Sequence, residues 1–195
     1  MDSGDRSRRI VEAAAELAEH GGFEAVRLRD VAARAEVALG TLYRRFGSKE
    51  ELLIAALERE TVGLEERVYA KLPSAVDVVE RLSSLYALIT RNLCRKPNLA
   101  RAMLRALVTG TPGMAKRLEE FHARLERITV AALRGGVPER DADVDAGERR
   151  LAWHLDMVWF ALIIGWSSGV HTQGEVVEKM GEAVRLAIEG ARRLD

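Results

Sequence analysis

LRDVAARAEVALGTLYRRF, residues 28–46, decides how this chain is read. Val31, Ala32 and Ala35 fall on one side of a helix over residues 28–35, and Leu42 and Phe46, four apart, form the inward stripe of a second helix over residues 39–46. A three-residue break separates them, which is the layout of a helix-turn-helix, whose second helix can enter a major groove with its N-terminal side chains on base edges. Gly40, Thr41, Tyr43, Arg44 and Arg45 cannot all be core, so they form the polar face of that second helix. From Val37 to Lys49 there are three cations, Arg44, Arg45 and Lys49, and no acid, so positive charge is focused on this segment.

Upstream, Ile10, Ala14, Leu17 and Ala18 share one face of a helix over residues 5–20, which Gly21-Gly22 stops before Phe23 and Val26 re-enter the core. Downstream, Ser48-Lys49-Glu50-Glu51 reads as a capping box that starts a long helix running to residue 71. Leu72-Pro73-Ser74 punctuates the chain, and further helices are expected over residues 76–95, 97–108, 112–134, 148–168 and 175–194, with Pro97 and Pro112 at first-turn positions. Residues 135–147, with Pro138 and clustered acids, read as a connector. No run shows sustained strand alternation, so the expected fold class is all-α. The expected division is a DNA-binding domain over residues 1–50 and a larger helical domain for ligand binding and dimerisation over residues 51–195.

The 195 residues are long enough to bury a sizeable core, and 48% hydrophobic with 31% charged residues argues against a disordered chain. Thirty basic and thirty acidic residues cancel, so any polyanionic partner must be engaged locally. The single cysteine, Cys94, excludes an internal disulfide and fits a reducing compartment, with the thiol expected in the core. The polar N-terminus does not read as a secretory signal, and the apolar stretch over residues 157–169 is too short to span a bilayer, so a cytoplasmic protein without a membrane partner is expected.

Enzyme signatures are missing from the pattern. His20, His122, His154 and His171 form no metal-ligand motif, and His154 and Asp156, two apart on a helix, point to different faces. Gly110-Thr111-Pro112-Gly113 lacks the lysine and the strand of a phosphate-binding loop. No catalytic residue, metal or cofactor is expected.

In the larger half, Leu151, Leu155, Val158 and Leu162 form one stripe of a helix, and Trp159, Ile163 and Trp166 another, so one face can pack internally and the other on a partner. Val176, Val177, Met180, Val184, Ala187, Ile188 and Ala191 give the final helix its packing face. Tyr86, Ile89, Leu93, Met103, Leu104, Leu107, Phe121, Leu125, Trp153, Met157 and Phe160 are candidates to line a ligand cavity, or equally ordinary core.

GFEAVRLRDVAARAEVALGTLYRRFGSKEELL, residues 22–53, resembles the N-terminal domain of the TetR family of transcriptional regulators. The resemblance implies that Gly40 lets the recognition helix approach DNA closely, that Thr41 and Tyr43 contact bases and phosphates, that Arg45 takes the DNA backbone, and that Lys49 holds a phosphate beside a helix N-terminus. It makes Leu39 and Arg44 the positions that vary the sequence read. Arg27, in place of a capping threonine, is expected to reach a phosphate. It further implies a homodimer through the two C-terminal helices on double-stranded operator DNA, most often a repressor released by a small apolar effector.

CRKPNLARAMLRALVTG, residues 94–110, and the tryptophan-rich segment 153–166 resemble the actinobacterial repressors of cholesterol catabolism. That resemblance implies a steroid- or lipid-derived acyl-CoA effector, with Arg91, Arg95, Lys96, Arg101 or Arg105 as candidate phosphate partners. Two residues depart from the family pattern: Glu36 stands at a turn glycine and Ala38 at a serine or threonine cap. A left-handed non-glycine residue costs roughly 1 to 2 kcal/mol, and a lost cap about 1 kcal/mol. The alternative is a helical ligand carrier or enzyme that keeps a degenerate helix-turn-helix.

Overall fold

The computed structural model describes residues 3–70, 77–109, 114–137 and 144–191. Nine helices and no strands occur among these residues, as the apolar periodicity requires. They are α1 (Ser3–Ala25), α2 (Leu28–Arg34), α3 (Leu39–Tyr43), α4 (Lys49–Ala70), α5 (Val78–Cys94), α6 (Pro97–Val108), α7 (Met114–Arg134), α8 (Ala146–Ser167) and α9 (Gln173–Ala191). The expected punctuation at Leu72-Pro73-Ser74 and the helix start at Pro112 lie outside the described residues.

The helix ends follow local chemistry. Gly22 adopts φ 68° and breaks α1 where the glycine pair is expected to stop it. Ser48 Oγ accepts the Glu51 amide at 3.2 Å, while Glu51 Oε2 reaches back to the amide of Gly47 at 2.8 Å, one residue before the cap. α3 is shorter than expected, because the chain tightens after Tyr43 and the Arg45 amide donates to Leu42 at 2.9 Å in a three-residue step. α8 starts two residues before its expected position, because Asp145 caps it and Glu148 answers with a 2.9 Å bond from the Asp145 amide. Thr172 and Glu175 start α9 in the same way, so it too begins two residues early. Gly135, at φ 71°, closes α7 in a Schellman motif, with Gly136 donating to Ala131 and Gly135 to Ala132.

The described chain forms two compact units, neither of them a continuous stretch. The first takes residues 1–61 and 95–119, and the second residues 62–94 and 120–195. In the first, α1 packs along α6, burying Ile10, Ala14 and Ala18 with Leu99, Ala100, Met103 and Leu104. Val31, Leu42, Leu52 and Leu53 complete that core.

The second unit buries Leu82, Leu85, Leu125, Ile128, Leu155, Ile163, Val176, Met180 and Val184, and α9 packs on both α5 and α8. Arg81 Nε and Nη2 donate to the last carbonyls of α7, Ala132 at 2.9 Å and Leu133 at 2.7 Å. Cys94 is buried, as expected of a core thiol.

One polar cluster lies within this core. The Tyr86 hydroxyl and the Thr129 hydroxyl both donate to Asp156 Oδ1, at 2.7 and 2.9 Å. The other carboxylate oxygen, Oδ2, is buried without a hydrogen-bond partner among the described residues. Three residues further along α8, Trp159 Nε1 donates to Thr90 Oγ1 at 2.9 Å. Burial raises the Asp156 carboxyl to about 7, against the two hydrogen bonds that favour its ionised form.

The linkage has a definite sign. Folded Asp156 keeps its proton up to about pH 7, whereas an unfolded aspartate releases it near pH 4, so stability falls as pH rises through this window. Asp156→Asn keeps the shape of the protonated acid and cannot ionise. Its melting temperature, measured against the native chain by circular dichroism, is expected to gain more at pH 8 than at pH 5. An equal difference at both values would show that Asp156 ionises in the fold as freely as in the unfolded chain.

Candidate functional site

The turn between α2 and α3 is closed by backbone hydrogen bonds from Glu36 to Ala33 at 3.2 Å and from Val37 to Ala32 at 3.0 Å, a Schellman ending. Such an ending needs a left-handed residue, and Glu36 takes it at φ 54°, the one positive φ at a non-glycine among the described residues. The strain expected at this position is therefore present. Neither Arg27 before α2 nor Ala38 before α3 makes a side-chain cap. The Glu36 carboxylate lies 3.8 Å from Arg9.

α3 is anchored by Leu42, which is fully buried, and the chain beyond it by Phe46. Gly40, Tyr43, Arg44 and Arg45 are exposed on the opposite side, with Leu39 and Thr41 half-buried beside them. Tyr43 keeps 53% of its surface in solvent. A Cβ at Gly40 would meet no atom within 4 Å, so packing inside the protein does not demand glycine there. The bare backbone of Gly40 is open to close approach from outside. Arg44 Nη2 donates to Thr41 Oγ1 at 3.1 Å, and Arg45 donates to Ser7 Oγ, which ties this face to α1. Arg27 is exposed at the start of α2.

Lys49 opens α4 and is engaged within the protein. Its Nζ lies 3.3 Å from Glu24 Oε2 and 3.9 Å from the centre of the Phe23 ring. Arg105, on α6, meets the same carboxylate through Oε1 at 2.8 Å and the same ring at 4.2 Å. These cations hold the Glu24 carboxyl below its ordinary range, Lys49 contributing most. Glu24 escaped the sequence reading because it lies outside the acid-free segment that follows Val37.

The candidate ligand residues divide between the two units. Tyr86, Ile89, Phe121 and Leu125 are buried in the second unit, where Leu93, Met157 and Phe160 are half-buried. Met103, Leu104 and Leu107 are buried in the first unit. Trp153 is 51% exposed, because α8 turns Ala152, Leu155, Asp156 and Trp159 inward and leaves it on the outer side. Arg105, expected at a ligand's phosphates, is engaged with Glu24 and Phe23.

A cavity of about 200 Å³ in the second unit is lined by Glu65, Tyr69, Glu126, Arg127, Val130, Val137, Val144 and Arg149, and by none of those candidates. Its polar wall is self-paired. Glu65 accepts from Arg124 at 2.6 Å, from Arg127 at 3.3 Å and from Tyr69 at 3.1 Å, and Glu126 accepts from Arg149 at 3.0 Å. Burial, with Glu65 alongside, pushes the Tyr69 hydroxyl up to about 12, so it stays a neutral donor. His122 stands edge-on to Phe121 and Phe160, each ring centre 5.5 Å away, and burial lowers its pKa toward the neutral form. Among the described residues no group of side chains could hold a metal ion, and no helix is long and apolar enough to cross a membrane.

Residues 10–56 match the family described as bacterial regulatory proteins, tetR family, and residues 76–187 match a tetracyclin repressor-like C-terminal domain. The chain belongs to the TetR family of transcriptional regulators. The HTH-type transcriptional repressor KstR of Rhodococcus jostii is 33% identical over 97% of this chain and 86% of its own length. A TetR transcriptional regulator from Rhodococcus sp. RHA1 has the same fold, with a TM-score of 0.81 at 24% identity over 96% of this chain and 97% of its own. Thermus thermophilus FadR, a TetR-family repressor solved with lauroyl-CoA, aligns with a TM-score of 0.74 at 25% identity over 94% of each chain. Membership sets the degenerate-motif enzyme aside, since the family and these relatives are regulators of transcription.

The strained turn makes a direct prediction. Glu36→Gly relieves the left-handed conformation and is expected to stabilise the protein by about 1 kcal/mol, read from the midpoint of urea unfolding. A loss of stability would mean that the contact with Arg9 outweighs the strain.

Proposed function

We propose that this TetR-family regulator is a homodimeric repressor that binds operator DNA through α3 and leaves it when an apolar acyl-CoA occupies the helical half. The observation that carries the reading is the α3 face: a fully buried Leu42 holds a helix whose other side offers Gly40, Tyr43, Arg44 and Arg45 to solvent. In this reading Thr41 and Tyr43 meet bases and phosphates, Leu39 and Arg44 tune the sequence read, and Arg27, Arg45 and Lys49 take phosphates. Residues 1–50 supply the DNA-binding part, and residues 51–195 the effector and dimer part.

A single recognition helix reads only a few base pairs, so two copies are needed, with half-sites about 34 to 36 Å apart or a multiple of that distance. The pairing surface we assign to α8 and α9, where Val158 is 40% and Leu186 70% exposed. Both are apolar side chains that a partner helix would cover.

The effector class rests on the KstR relative and on the lauroyl-CoA held by Thermus thermophilus FadR, and we extend it to a steroid- or lipid-derived acyl-CoA. In this reading the effector binds one conformer of the helical half more tightly than the other. Moving the population from 99:1 to 1:99 takes roughly 5.5 kcal/mol of differential affinity. A ligand that binds both conformers equally releases nothing. The place of action is the cytoplasm, with no cofactor and no membrane.

The test begins with selection of genomic fragments by the purified protein, followed by salt titration on the recovered site. A palindromic site, weakened by a steroid-derived or long-chain acyl-CoA, is expected. Tyr43→Ala and Lys49→Ala should each weaken binding about tenfold, equivalent to roughly 1.4 kcal/mol, with the dimer intact by sedimentation. Lys49→Ala should also lower the salt slope by about one unit. No enriched fragment would overturn the reading, and an unchanged slope would remove Lys49 from the phosphate contacts.

A further inference from the structure

We infer that Glu24 is a positioning residue that competes with DNA phosphate for Lys49, and that Arg105 on α6 sets how strongly it competes. This rests on the reading above, in which Lys49 meets a phosphate.

The argument starts from an unusual grouping. Lys49 and Arg105 are like charges, yet both sit against the Phe23 ring, at 3.9 and 4.2 Å. The ring attracts each cation, and a carboxylate between them offsets their mutual repulsion. Glu24 supplies it by dividing its two oxygens, Oε2 to Lys49 at 3.3 Å and Oε1 to Arg105 at 2.8 Å. Phe23 and Glu24 follow the Gly21-Gly22 break of α1, so a short backbone segment carries both the ring and the carboxylate. Their position is fixed by burial of Phe23 and Val26.

A carboxylate and a phosphate oxygen make the same kind of charge-assisted bond to an ammonium. While Glu24 holds Lys49, a phosphate must displace it or share it. Arg105 weakens that hold by taking the other oxygen. A shift of α6 that withdraws Arg105 returns the whole carboxylate to Lys49 and lowers its attraction for DNA. Because α6 carries Arg105 and packs along α1 through Leu99, Met103 and Leu104, any displacement of α6 is transmitted to this carboxylate. The device links helix movement to phosphate affinity without requiring a change at α3.

These contacts are partly exposed, Glu24 by 70% and Arg105 by 57%, so each is weak in stability but is read directly by a polyanion. A role in folding and a role in phosphate competition therefore separate in the salt dependence. A structural role lowers the melting temperature and leaves the slope of affinity against salt unchanged.

The experiment uses the full chain, a fluorescent mixed-sequence DNA duplex and anisotropy titrations at several salt concentrations. Glu24→Gln is expected to bind three- to tenfold more tightly, with a steeper slope by at most about one unit. Arg105→Ala is expected to bind more weakly by a similar factor, and most of that loss should vanish in the Glu24→Gln background. In a Lys49→Ala background, Glu24→Gln should have no effect. A native affinity and slope for Glu24→Gln would overturn the inference. So would an equal gain without Lys49, which would make Glu24 a general negative charge near DNA, or an undiminished Arg105→Ala loss in the Glu24→Gln background, which would make Arg105 a phosphate contact itself. Failure of the native chain to bind any duplex would remove the DNA-binding reading and this inference together. Native binding with unaltered variants removes this inference alone.

Discussion

A five-residue helix cannot hold itself in water, because the cost of fixing its first turn is never repaid by the few hydrogen bonds that follow. α3 is such a helix, and its geometry depends on the complete burial of Leu42 and on Phe46 entering the core behind it. Everything exposed by α3 is positioned by that one anchored stripe. The turn in front of it is held at the expense of a left-handed Glu36, and both helix starts lack side-chain caps. Local preference thus opposes the motif at three residues. Packing within the first unit, to which α6 contributes Leu99, Ala100, Met103 and Leu104, has to outweigh it.

The second unit depends on a different compromise. Its core admits a carboxylate, Asp156, and satisfies only one of the two oxygens, through Tyr86 and Thr129. Burial favours the protonated acid, so this polar cluster costs least at acidic pH and most above neutrality. The cavity of the same unit is walled by ion pairs around Glu65 and Glu126.

Several features of the site were legible in the residues. Gly21-Gly22 marks the break in α1, the four-residue spacing of Leu42 and Phe46 identifies the buried side of α3, and Glu36 marks the strained turn. Periodicity gives α8 two apolar stripes without saying which is inward, and the structure buries Trp159, Ile163 and Trp166 of one together with Leu155 of the other. What periodicity cannot decide is which apolar residues face an empty space. Tyr86, Leu125 and Met103 are buried, whereas the cavity of about 200 Å³ in the second unit is lined in part by Glu65, Glu126, Arg127 and Arg149. Of the three tryptophans in its segment, Trp153 lies outward while Trp159 and Trp166 are buried.

The sequence by itself determined the all-helical class, the two-helix reading head and the residues on its exposed face, because these follow from spacings of three and four residues within one helix. Tertiary structure alone decided that residues 95–119 join the N-terminal unit and that Glu24 meets both Arg105 and Lys49. Those contacts join residues 25 to 81 positions apart. No local period encodes such a meeting, since it arises only when separate helices bury their apolar faces against one another.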